Sequence, residues 1–134
     1  MIHLDTSILI DAFTGPRRSL PDLRRIVADG IRLAVSSLVL YEWRRGPRVE
    51  MELALESALL GPDAVVDFGE VEARLAADLY QKVTRARGRE LDIAIAACAL
   101  GRSAPLWTLN PRDFLDIPGL VMHRTGSSRG RGAS

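Results

Sequence analysis

Short apolar runs alternate along the chain with longer segments in which apolar residues recur every three or four positions. A short apolar run predicts a buried strand, and the longer spacing predicts a helix with one face in the core. Strands are predicted at 2–4, 32–35, 64–67, 106–108 and 120–123. Helices are predicted at 6–13, 20–28, 37–45, 48–60, 70–87 and 90–100.

Glycine and proline pairs separate these elements, as at Gly15-Pro16, Gly46-Pro47 and Gly61-Pro62. Strands joined through helices favour a parallel sheet with helices on both faces. The predicted fold class is therefore α/β, a three-layer α/β/α sandwich around a small parallel sheet of about five strands.

The 134 residues are expected to form one domain over 1–123, followed by a flexible tail rich in Gly, Ser and Arg over 124–134. No apolar run approaches the ~20 residues that span a bilayer, and the first residues do not resemble a secretory signal. The single cysteine, Cys98, lies in an apolar run and is expected to be buried and inert. A cytoplasmic protein without a membrane association is predicted.

Four acidic residues occupy positions that an α/β fold brings to one edge. Asp5 follows the first strand directly, and Asp113 lies a few residues beyond the fourth. Glu42 lies about two turns into the helix after the second strand, and Asp92 lies in the first turn of the most apolar helix. Because ligands bind beyond the carboxyl ends of parallel strands, these residues predict one acidic site.

Carboxylates gathered in this way need a compensating charge. Two of them ~4 Å apart repel by about 4 kcal/mol at an effective dielectric constant of 20. Mg²⁺ or Mn²⁺ prefers oxygen ligands, and such an ion activates water and neutralises phosphate charge. Zinc is not expected, since His3 and His123 lie away from the predicted site.

Each acid also has an ordinary structural explanation. Asp5 is at a position to cap the following helix, and Asp92 is at a position to complement a helix dipole. Glu42 has Arg44 and Arg45 as candidate ion-pair partners. The occurrence of all the acids near strand ends favours the shared site.

Four segments resemble the PIN-domain family. They are Ile2-His3-Leu4-Asp5-Thr6-Ser7, residues 36–42, residues 88–97, and Leu106-Trp107-Thr108-Leu109-Asn110-Pro111-Arg112-Asp113-Phe114. They occur in the family's order and cover most of residues 1–123. Within that family the chain is most similar to the small VapC-type toxins of bacterial toxin–antitoxin pairs.

The resemblance implies a PIN-like fold and an endoribonuclease that depends on Mg²⁺ or Mn²⁺. Carried onto this chain, Asp5 and Asp92 are the principal metal ligands. Glu42 and Asp113 complete the catalytic set. Thr6 or Ser7 is expected to hydrogen-bond within it.

The fourth acidic position has three candidates. Asp113 also suits a turn, Asp116 is an equally acidic neighbour, and some PIN domains place an acid where this chain has Asn110. Arg89 and Arg112 flank the acids and are predicted to contact RNA phosphate.

The resemblance also implies partners. A homodimer is expected, held inactive by a cognate VapB-type antitoxin whose tail enters the active site, with RNA as the substrate. Lys82 is the only lysine among 18 basic residues, which is compatible with nucleic-acid binding and equally with genome composition. Arg124, Arg129 and Arg131 suggest salt-dependent RNA affinity of the tail, with a passive tail as the alternative.

Other acidic or nucleotide-binding folds fit poorly. A phosphorylation receiver domain needs paired acids after its first strand, and a haloacid-dehalogenase-like phosphatase needs an acid where Ser7 stands. A dinucleotide-binding domain needs glycines after that strand. A catalytically silent RNA- or protein-binding module, a DNA-cleaving enzyme and a non-toxin RNA-processing nuclease remain alternatives.

Overall fold

The computed structural model describes residues 1–124, so most of the predicted tail lies outside the described residues. Four parallel strands form one sheet in the order β3-β2-β1-β4. The strands are β1 Ile2–Leu4, β2 Leu33–Ser36, β3 Val65–Val66 and β4 Leu106–Trp107. Every residue of β1 and β2 is buried although successive side chains point to opposite faces. Both faces are therefore covered, and the predicted α/β class is confirmed.

The predicted fifth strand is reduced to a single parallel bridge between Leu106 and Met122. The Leu106 N–H donates to the Val121 carbonyl at 2.9 Å, and the His123 N–H donates to the Leu106 carbonyl at 2.8 Å. Residues 120–123 thus protect the outer edge of β4 without forming a longer ladder.

Among residues 1–124, six α-helices connect and cover the strands. They are α1 Thr6–Phe13, α2 Leu20–Ala28, α3 Ser37–Arg45, α4 Glu50–Leu59, α5 Glu70–Lys82 and α6 Glu90–Gly101. The prediction for α5 is five residues too long. Val83 is extended and Arg85 has a φ of 60°. Val83 and Ala86 are nevertheless buried, so core apolar residues continue past the point where the helix ends.

Helix α6 lies in the centre of the molecule. Seven consecutive residues from Ile93 to Ala99 are buried, which means that the helix has no solvent face along this stretch. Small alanine side chains allow close packing on all sides. Since the preceding turn of α6 carries Asp92, that carboxylate projects from a rigid element. Among residues 1–124, no helix is both long and apolar enough to cross a membrane.

An ion pair between the half-exposed Arg44 and the buried Glu56 fixes α3 against α4. Glu56 is 7% exposed and accepts hydrogen bonds from Trp43 Nε1 at 2.7 Å, Arg44 Nε at 2.9 Å and Arg44 Nη2 at 3.0 Å. The Arg48 guanidinium lies 3.9 Å from the Trp43 ring centroid and donates to the Trp43 carbonyl. These contacts set the orientation of the helix that carries Glu42.

Glu56→Ala is expected to lower the free energy of unfolding by about 1–3 kcal/mol, because it leaves the buried indole N–H of Trp43 without an acceptor. Urea unfolding measures the loss. Glu70→Ala is the matched control, because Glu70 forms an exposed pair with Arg74 and surface pairs contribute little. Equal losses in the two variants would contradict the bracing role of Glu56.

Candidate active site

Asp5 stands at the N-cap position of α1, directly after β1, but its side chain does not cap the helix. Its Oδ2 instead accepts hydrogen bonds from Ser7 Oγ at 3.0 Å and Thr108 Oγ1 at 2.7 Å. The residue is 7% exposed. The structure therefore does not support a role for Asp5 as a simple helix cap.

Thr108 joins the start of α1 to the segment after β4. Its hydroxyl donates to Asp5 and accepts from the Asn110 backbone N–H at 3.0 Å. The Ser7 hydroxyl likewise accepts from the Leu109 N–H at 3.0 Å. The predicted support from Asn110 comes from its backbone in this structure, while its side chain is exposed. Sequence reasoning missed Thr108 as a site residue, although its place at the carboxyl end of a predicted strand was the available signal.

Glu42 faces the same edge from α3. Thr6 Oγ1 donates to Glu42 Oε1 at 2.5 Å, so Thr6 and Ser7 support different carboxylates. Arg45 Nη2 lies 4.0 Å from Glu42 Oε2. Of the two predicted ion-pair partners, Arg44 is committed to Glu56 and only Arg45 approaches Glu42.

The pKa of Asp92 is affected by the other three predicted acids. Its pKa is raised to about 6 by burial first, and then by the negative charges of Asp5, Asp113 and Glu42, while Arg89 opposes the rise. Charge interactions weaken steeply with distance in salt solution. The structure thus brings Asp5, Glu42 and Asp113, each from a different element, close enough to Asp92 to act on its carboxyl group.

The geometry favours Asp113 over Asp116 as the fourth acid. Asp113 ends a short 3-10 helix, Pro111–Asp113, and is exposed at the rim. Asp116 forms a two-pronged ion pair with Arg89, at 2.6 and 2.9 Å, which holds the pKa of Asp116 below its usual value.

The same ion pair bears on the predicted RNA contact of Arg89. Its Nη2 also donates to the Asp113 carbonyl at 2.9 Å. The Arg89 guanidinium therefore joins the segment of Asp113 to the start of α6. Because its N–H groups already donate to Asp116 and to the Asp113 carbonyl, this geometry argues against a phosphate contact. Arg112 is exposed on the 3-10 helix, and its predicted RNA contact stays a prediction.

The donor set fits a hard cation better than zinc. His3 is buried within β1, where burial lowers its pKa to about 4, and His123 packs edge-on against Trp107. Within residues 1–124, no three acidic, histidine or cysteine side chains stand ready as a metal cage. Mg²⁺ does not require one, because it binds through one or two carboxylates and keeps several waters. After burial, the charges of Asp5, Asp113 and Glu42 contribute to the raised pKa of Asp92, and a cation would offset that negative charge.

Comparison with known proteins identifies the family of this chain. The model of the family described as PIN domain matches residues 2–120. The chain belongs to the PIN-domain family. It is 32% identical over 120 residues to "Ribonuclease VapC19" of Mycobacterium tuberculosis strain H37Rv, a match that covers 87% of this chain and 94% of that protein.

Solved structures with the same fold include toxin–antitoxin assemblies. A chain of VapBC2 from Rickettsia felis, bound to a promoter DNA fragment, superposes with a TM-score of 0.68 at 22% identity over 92% of this PIN domain chain and 98% of that one. A chain of DNA-bound VapBC from Salmonella typhimurium gives 0.66 at 24% identity, over 91% and 96%. At these identities the likeness shows the PIN fold alone.

Replacing Asp92 tests whether its ionised carboxylate lowers the stability of the fold. A carboxyl whose pKa is higher in the folded state costs stability once it ionises, so the cost is absent below pH ~4 and complete above pH ~6. Asp92→Asn is therefore expected to raise stability by ~1 kcal/mol at pH 8, a figure reduced for partial exposure, and to have no effect at pH 4. Thermal unfolding in EDTA measures both.

Asp116→Asn is the control of opposite sign. The pKa of Asp116 is lowered by Arg89, so this carboxylate stabilises the fold above its unfolded pKa and the benefit is lost as the pH falls. The variant is expected to melt earlier at pH 8. If Asp92→Asn also melts earlier than the wild type at pH 8, the ionised Asp92 carboxylate does not destabilise the fold.

Proposed function

We propose that this PIN domain is a VapC-type toxin, an endoribonuclease that hydrolyses RNA phosphodiester bonds with Mg²⁺ or Mn²⁺ and acts in the cytoplasm. The observation that carries the proposal is the gathering of four acids from separate elements at the carboxyl edge of a parallel sheet, where burial first and then the charges of the other three acids raise the pKa of Asp92. The similarity to a protein named as a ribonuclease supports RNA as the substrate.

Asp5 and Asp92 would hold the metal ion, which supplies an activated water and neutralises charge on the phosphate. The hydroxyls of Ser7 and Thr108 both bind Asp5 Oδ2. Both hydrogen bonds hold the carboxylate through Oδ2, which would leave Oδ1 available for the metal ion. Such fixed orientation lowers the cost of arranging the site for each turnover.

Glu42 and Asp113 differ in surroundings and would differ in task. Glu42 is partly buried and held by Thr6, whereas Asp113 is exposed at the rim. A carboxylate that does not bind the metal is available to accept a hydrogen bond from the attacking water. The proposed site would thus contain acids that bind the metal ion and acids that orient the attacking water.

The purified protein is expected to cut single-stranded RNA with Mg²⁺ or Mn²⁺ and not in EDTA. Asp5→Asn should lower the rate by about a hundredfold or more, since metal charge stabilisation is worth several kcal/mol. The asparagine oxygen still accepts from Ser7 and Thr108, so the fold should be retained. Cleavage of a labelled RNA and circular dichroism measure the two effects.

Asp63→Asn is the matched control, because Asp63 is an exposed acid just before β3, at the opposite end of the sheet. It should cut at the wild-type rate. Wild-type cleavage by Asp5→Asn would refute the assignment of the site. If Mn²⁺ does not raise the melting temperature of the wild-type protein, a catalytically silent binding module becomes the better description.

A VapB-type antitoxin is proposed as partner, because the structural relatives include chains of toxin–antitoxin complexes. A homodimer is proposed with it. Expression of the protein alone is expected to arrest bacterial growth. Co-expression of a small protein encoded beside its gene should restore growth, and that small protein should co-purify with the PIN domain. Asp5→Asn should be harmless. Growth curves decide this, and arrest by Asp5→Asn would show toxicity without cleavage.

A further inference from the structure

One exposed face of α3 continues outward from the acidic site. Leu38, Tyr41, Glu42 and Arg45 are spaced by three and four residues and so lie on one side of the helix. Leu38 packs against the core. Tyr41 is 62% exposed, and the Arg45 side chain is 59% exposed. An aromatic ring and a cation thus stand beside Glu42.

Arg45 links the ring to the site. Its guanidinium carbon lies 5.5 Å from the Tyr41 ring centroid, within the range of a cation–π contact. Its Nη2 lies 4.0 Å from Glu42 Oε2. Because the Arg45 side chain is exposed and the distance is long, this pair contributes little stability. Arg45 can therefore exchange the carboxylate for another anion at small cost.

Neighbouring arginines are held more firmly. Arg44 makes two hydrogen bonds to the buried Glu56, and Arg48 is stacked on Trp43 and bonded to its carbonyl. Arg89, on the other side of the site, is fastened to Asp116. These three brace the fold, whereas the contacts of Arg45 leave it ready to bind a ligand.

We propose that Tyr41 and Arg45 form a nucleotide-binding subsite, in which the tyrosine ring stacks on a base of a single-stranded RNA and Arg45 contacts an adjacent phosphate. This inference rests on the proposed ribonuclease function. A phosphate that approaches four carboxylates is repelled, and the Arg45 charge beside Glu42 offsets that repulsion. Stacking on a ring accepts every base, so the subsite contributes affinity with little sequence preference.

Affinity for RNA tests the role of Tyr41. Fluorescence anisotropy with a labelled single-stranded RNA is measured in the Asp5→Asn background, so that cleavage does not interfere. Tyr41→Ala should weaken binding by about tenfold, within the ~1–3 kcal/mol that stacking contributes per base. Tyr41→Phe keeps the ring and should bind within about twofold of the parent.

Salt dependence tests the role of Arg45. Arg45→Ala should weaken binding and reduce the slope of log K against log salt concentration by about 0.7, the value for one phosphate contact on a single strand. Arg45→Lys should keep the slope. Arg74→Ala is the matched control, because Arg74 is likewise exposed and paired with a glutamate on its own helix, but on α5, and it should change neither quantity.

Unchanged RNA affinity in both Tyr41→Ala and Arg45→Ala would overturn the proposal. It would also be overturned if these variants bind RNA normally but change the oligomeric state in light scattering, since the face would then belong to a protein interface. Failure of the ribonuclease function is seen separately, as wild-type cleavage by Asp5→Asn. RNA affinity lost in Tyr41→Ala but kept in Tyr41→Phe supports the subsite.

Discussion

Repulsion among carboxylates at the carboxyl edge of the sheet is the constraint on which the rest of the site depends. The pKa of Asp92 reflects it, because burial first and then the charges of the other three acids raise that pKa to about 6. The fold accepts this cost by fixing the acids on rigid supports. Helix α6 is buried around Ile93–Ala99, and Glu56 ties α3 to α4. The proposed Mg²⁺ or Mn²⁺ ion would offset this repulsion.

Hydroxyl groups hold the acids where charge alone would push them apart. Ser7 and Thr108 donate to Asp5, and Thr6 donates to Glu42. Hydrogen bonds to a charged acceptor are stronger than neutral ones, so three small side chains can keep two carboxylates in place. The same hydroxyls connect α1, α3 and the segment after β4, and the site and the fold are therefore stabilised by shared contacts.

Arginines near the site have different tasks according to their partners. Arg44 and Arg89 make two-pronged bonds to carboxylates, a geometry that suits the guanidinium fork. Arg45 meets Glu42 only at 4.0 Å and lies over the exposed Tyr41. The same residue type thus braces the fold at two positions and is left available for a ligand at a third.

The order of strands and helices and the candidate acids were determined by the sequence alone, because apolar periodicity and the placing of Asp5 directly after a buried run are local properties. The tertiary structure decided what depends on distant contacts. Thr108 meets Asp5 across 103 positions of the chain, and Asp116 is drawn to Arg89, which leaves Asp113 at the rim. Likewise α5 ends early since Val83 packs in the core from a non-helical segment. Such pairings follow from how the elements pack, and no local pattern encodes them.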